Sequence, residues 1–84
     1  MHKMNKPLFA IGDEVQRSEA SLEFQRARFA HNGRLLIMVE RISSIRYVVA
    51  GVAPWYGSFV YKLTYLDSGE SVHFSATQGA LKRA

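Results

Sequence analysis

Between Phe59 and Phe74 the chain alternates, turns and alternates again. Tyr61, Leu63 and Tyr65 take every second position, with Val60, Lys62 and Thr64 between them. A period of two sends one set to each side of a strand. Asp67-Ser68-Gly69 follows, a tight turn whose glycine is free to take positive φ. Val72 and Phe74 then fall on the core side, and Ser71, His73 and Ser75 on the solvent side. An isolated hairpin cannot bury its own apolar face, so the rest of the chain must cover it. Tyr61 to Phe74 therefore commits the chain to a mainly β domain.

The other 70 or so residues leave room for one such domain and no more, since chains split only at several times this length. There are no cysteines among the 84 residues. A disulfide scaffold and a thiolate zinc site are excluded, and the composition fits a reducing cytoplasm, the expected location. The longest apolar run, Leu35 to Val39, is too short to cross a bilayer, so no membrane partner is expected. Met1 to Lys6 is charged without a following apolar core and reads as a tail, 1–6, ahead of a domain over 7–84.

Before the hairpin, Leu8, Phe9 and Ile11 lead into a Gly12-Asp13 turn. Glu14 to Arg17 is a short strand with Val15 inward. Ser18 to Gly33 has two readings. In one, Ser18 caps a short helix that stops at Asn32-Gly33. In the other, Arg26 to Ala30 pairs back through a His31-Asn32-Gly33 turn. The hairpin is slightly favoured. Leu35 to Ile42 reads as a strand buried on both faces at the centre of the fold. One small monomer lacks cover for both faces, so a homodimer or higher oligomer is expected. Ile45, Tyr47 and Val49 alternate as another strand, whose exposed edge, Ile45 to Ala50, is open to a partner. Gly51 to Ser58, with Pro54 and Gly57, reads as a connecting loop. Ala76 to Gly79 reads as one irregular or 3-10 turn before a closing strand at Ala80-Leu81.

Phe9…Gly12-Asp13-Glu14-Val15, the central apolar strand, Tyr61-Lys62-Leu63-Thr64-Tyr65, Asp67-Ser68-Gly69, Phe74 and Leu81 together resemble the SH3-like barrels of the Tudor and KOW type. The resemblance covers both ends of the chain and leaves the middle unmatched. It implies a small barrel of about five antiparallel strands, with room for one short helix or 3-10 turn, and a binding role whose ligand the fold does not name. Type II dihydrofolate reductase, the plasmid-borne kind, is similar in fold. It lines its pore with Val-Gln-Ile-Tyr where this chain has Val72-His73-Phe74-Ser75, so the likeness supports the barrel and counts against the reductase.

Seven of the eleven basic residues are arginine, and the net charge is +4. Arginine suits bidentate contact with phosphate. Arg26 and Arg28 share strand parity, as do Arg34 and Arg46, with Arg41 pointing the other way, so the first four are candidates for a basic stripe. The competing reading is a solvated face that keeps the protein soluble. Trp55, Tyr56 and Phe59 surround Pro54 and Gly57, where rings can stack on a base, grip a peptide or cage a methylated cation. Alternatively Trp55 plugs the barrel end. His2, His31 and His73 lack ligand spacing, and neither a nucleophile elbow nor a phosphate-cradling glycine loop is present. The expectation is a non-catalytic module without cofactor or metal. Its partner is nucleic acid or a protein, the latter through a sheet edge or the aromatic loop.

Overall fold

A computed structural model of the chain describes residues 6–84, so most of the expected tail, and His2 with it, lies outside the described residues. The elements are β1 (Glu14–Arg17), α1 (Glu19–Arg28), α2 (Gly33–Ile42), β2 (Tyr47–Trp55), β3 (Ser58–Tyr65), β4 (Ser71–Thr77), a 3-10 turn (Gln78–Ala80) and β5 (Leu81–Arg83). The strands form one antiparallel sheet in the order β4-β3-β2-β1-β5. The fold is mainly β, as the hairpin requires.

The core lies on one side of this sheet. Val15, Tyr47, Val49, Tyr61, Leu63, Ala76 and Leu81 form it, and Phe9 closes it from the N-terminal arm. Side chains of this size each stabilise the fold by about 1.5–3 kcal/mol when fully buried. Tyr61 is fully buried, yet its hydroxyl is satisfied: it accepts from the Leu8 N–H at 3.1 Å and donates to Gln78 Oε1. Phe9 meets the Tyr61 ring edge-on at 5.4 Å. The arm from Leu8 to Asp13 is thus fastened over one end of the sheet, and Gly12 makes its bend at φ +97°.

β3 and the turn at Asp67 to Gly69 stand where the sequence places them, with Gly69 at φ +76°, but β4 runs on to Thr77 and takes in Ala76 and Thr77, expected in the turn before the last strand. Phe74 departs from its expected inward position. Three residues of β4, Val72 to Phe74, stand opposite Leu63 alone, between the pairs Lys62–Ser75 and Thr64–Ser71. The irregularity breaks the alternation. Ala76 takes the buried place, and Phe74 is 41% exposed beneath the Arg17 guanidinium, 4.9 Å from its ring centre.

The middle of the chain corrects the sequence reading most. Ser18 to Gly33 forms α1 and the short turn into α2, not a β-hairpin. Ser18 Oγ accepts from the Ser21 N–H, and Glu19 sits in the first turn, where the helix dipole favours a negative charge. Leu35 to Ile42 is a helix rather than a central strand. Its run of apolar residues hides a helical period: Leu35, Leu36, Val39 and Ile42 turn inward, while Arg34, Ile37, Met38 and Arg41 stay exposed. Asn32, read as a stop for the first helix, instead caps the second, its Oδ1 accepting from the Leu35 N–H at 3.1 Å. With no doubly buried strand, the ground for expecting an oligomer disappears.

Two further corrections concern β2. It continues through the expected loop to Trp55, pairing Val52 with Tyr61 and Pro54 with Phe59. Beyond Val49 it pairs with no strand on the β1 side among the described residues, so the missing N–H of Pro54 is tolerated as on an edge. The expected open edge at 45–50 is covered where it enters the sheet, because Tyr47 and Val48 lie between β1 and β3. The outermost strands of the sheet are β4 and β5.

Candidate functional site: the helical hairpin and the β2–β3 tip

The two helices are an insert between β1 and β2. Ser18 anchors its base: its N–H donates to the Ala80 carbonyl at 2.8 Å and its Oγ to the Gly79 carbonyl at 2.8 Å. From there α1 rests on the 3-10 turn, and α2 packs chiefly against α1. Leu22 on α1 and Val39 on α2 are buried outside the main core.

The insert's charges are sorted. Arg26 donates to Glu40 at 3.0 Å and reaches Glu23 at 3.5 Å, bridging α1 and α2. Its hydrogen bond to Glu40 holds the guanidinium above its ordinary pKa. Glu19 lies 3.8 Å from Lys82. Every carboxylate of the insert is therefore matched to a cation. Among the described residues no ion pair engages Arg28, Arg34, Arg41 or Arg46. Arg28 leans over its neighbour Phe29, 5.7 Å from the ring centre.

The expected stripe does not form in the way strand parity implies. Arg26 is spent inside the insert. Arg46 stands just before β2, on the rim of an open groove of ≈ 460 Å³ with Tyr65 and Asp67. Arg34 is joined instead by Arg41, which the parity argument set aside. Two helical turns separate them, so they share the exposed face of α2 with Ile37 and Met38 between. Phe24, two turns along α1, is also exposed. The spacing of Leu35, Leu36, Val39 and Ile42 is the signal that reveals this face.

Trp55 and Tyr56 are at the tip of the β2–β3 hairpin, and Trp55 plugs nothing: it is 46% exposed and Tyr56 is 92% exposed. Their rings meet edge-on at 4.9 Å. Tyr56 and Gly57, at φ 42° and 77°, make the two-residue turn with both central residues left-handed that antiparallel strands favour. Phe59 parts from them. Paired with Pro54, it faces inward and packs against the core. The tip stands at the opposite end of β2 from its junction with α2. Arginines and rings are thus two sites, not one.

Among the described residues no group of three or more metal-ligating side chains converges, and no helix is long and apolar enough to cross a membrane. No protein-family model, curated protein or solved structure matches the chain.

Proposed function

We propose that this chain is a non-catalytic binding module of the SH3-like barrel type, and that it binds nucleic acid through the unpaired arginines of its helical insert. The strand order β4-β3-β2-β1-β5 with a 3-10 turn before the last strand supports the barrel reading. So does the contact of Arg17 on β1 with Phe74 on β4, which requires the sheet to curl. One observation carries the functional reading: the insert's acids are consumed by Arg26 and Lys82, and Arg28, Arg34, Arg41 and Arg46 are left exposed without counter-charges. Exposed, uncompensated guanidinium groups exchange salt ions for phosphates, and the released ions drive binding.

Fluorescence anisotropy with labelled single- and double-stranded oligonucleotides tests this. Binding is expected at low salt and falls steeply as salt rises, with a log–log slope of about −0.9 per phosphate on a duplex. No binding of any nucleic acid at low salt sinks the proposal.

A second reading has its own observation. Tyr56 keeps a large, exposed ring at a backbone position that favours glycine or asparagine. Such a strained position is a pointer to a contact, here with a protein partner at the hairpin tip. A pull-down in which Trp55→Ala and Tyr56→Ala lose a partner that Arg34→Gln retains supports this reading over the first.

A further inference from the structure

We propose that α2 is a recognition helix that enters the major groove of duplex DNA, with Arg34 and Arg41 on phosphates and Ile37 and Met38 against base edges. This rests on the nucleic-acid reading and narrows it to one form of nucleic acid.

α1 ends at Arg28 and α2 begins at Gly33, so four residues, Phe29 to Asn32, join them. Two helices joined by so short a turn hold the second as a protruding rod braced by the first. Here the bracing is explicit. Leu22 and Val39 are buried, and Arg26 on α1 bonds Glu40 on α2 at 3.0 Å. The bracing uses the inner side of α2 and leaves the outer side bare along its length. A ten-residue helix is about 15 Å long, and B-form DNA has a major groove about 12 Å wide, which admits a helix.

The outer face has the chemistry for that groove. Arg34 and Arg41 stand about 10 Å apart along the axis, one in the first turn and one in the last. Neither has an ion pair among the described residues, so each is available to a phosphate. The N-terminal turn of α2 contains no acid, so the positive end of its dipole adds to Arg34. Between the arginines, Ile37 and Met38 are each more than half exposed. Apolar side chains at the centre of a base-reading face find thymine methyl groups in the major groove.

The same face suits other nucleic acids poorly. A single strand is held by stacking its bases on aromatic rings, and α2 contains none. The exposed pair, Trp55 and Tyr56, is at the far end of β2. In duplex RNA the major groove is too deep and narrow for side chains to read.

The test compares four labelled ligands of equal length and mixed sequence at low salt: duplex DNA, single-stranded DNA, duplex RNA, and duplex DNA whose cytosines carry major-groove glucosyl groups. The plain DNA duplex is expected to bind at least about tenfold more tightly than each of the others, a difference of about 1.4 kcal/mol. The double variant R34Q/R41Q is expected to bind it at least about tenfold more weakly and to lower the magnitude of the salt slope by about 2. Met38→Glu, which places a negative charge mid-face, is expected to weaken binding while W55A/Y56A leaves it unchanged. Circular dichroism is expected to show that each variant keeps its helices, since all these positions are exposed. Equal or tighter binding of the single strand, the RNA or the glucosylated duplex overturns the inference and leaves nucleic-acid binding standing. So does loss of binding in W55A/Y56A but not in R34Q/R41Q. Failure to bind any of the four overturns both readings.

Discussion

Tyr56 sits in the left-handed region at φ 42°, where a side chain other than glycine or asparagine is strained by about 1–2 kcal/mol. Its edge-on contact with Trp55 at 4.9 Å offsets part of that cost. Tyr56→Asn, which creates Asn-Gly at this turn, is expected to raise stability by about 0.5–1 kcal/mol in urea denaturation. A loss of stability instead would show that the ring contact outweighs the strain. Tyr47 is a second case in which one residue carries opposed effects. Burial pushes its phenol above the ordinary range, and the adjacent Arg17 guanidinium pulls it back. Arg17 donates to Ser21 Oγ at 3.2 Å, but its buried Nε has no hydrogen-bond partner among the described residues. A raised folded pKa means the unfolded chain gives up the phenolic proton first. The contribution of Tyr47 to stability is therefore complete below the unfolded value, about 10, and lost as pH climbs through the folded one. Arg17→Met is expected to move the Tyr47 transition to still higher pH, read by phenolate absorbance. An unmoved or lowered transition contradicts the assignment.

At the scale of elements, the helical insert and the sheet are held by different means. The sheet shares one contiguous core, whereas the insert relies on Leu22 and Val39, the Arg26–Glu40 bridge and the Ser18 anchor. The bridge is solvent-exposed, and surface ion pairs add little to stability. Segments with so little buried apolar surface open at lower free energy than the core around them. Leu22→Ala is expected to cost about 2–4 kcal/mol locally, collapsing amide protection in α1 and α2 while β2 and β3 remain protected from hydrogen exchange. Equal loss of protection in every element would show instead that insert and sheet unfold as one. The elements also differ in how legible they are. β1, β3 and the turn at Asp67 to Gly69 follow from alternation and turn chemistry, whereas β4 departs from alternation at its irregularity. Leu35 to Ile42 misleads because a short apolar run fits a buried strand and a buried helix alike. The decision lies in local capping by Asn32 and in α1 as the surface for α2 to pack on. That is also why Arg41 joins Arg34, and why the candidate face changes membership once the element type is known.

For the molecule as a whole, closure depends on the ends. Asp13 accepts from the Ala10 N–H at 2.8 Å and from Arg83 at 3.2 Å, while Arg83 also donates to the Leu8 carbonyl at 2.8 Å. This ties the N-terminal arm to β5 over the Phe9 ring, which Arg83 overlies at 5.5 Å. The Ala10 bond foremost, and then Arg83, hold the Asp13 carboxyl below its ordinary pKa. A depressed folded pKa makes this contribution complete above the unfolded carboxylate value, about 3.9, and lost as pH falls through the folded one. Asp13→Asn is expected to flatten the acid limb of the stability–pH curve below about pH 4, followed by thermal melts across pH. An unchanged limb would assign acid sensitivity to other carboxylates. Alternation, turn chemistry and charge are local properties, and they suffice for the β3–β4 hairpin, the inward residues Val15, Tyr61 and Leu63, and the surplus of arginine. Long-range packing is needed to make Leu35 to Ile42 a helix, to set Trp55 and Tyr56 at the tip of a β2–β3 hairpin, and to choose which arginines lack ion pairs among the described residues. Those facts depend on which partners lie across space: α1 under α2, β1 beside β2, and Glu40 within reach of Arg26.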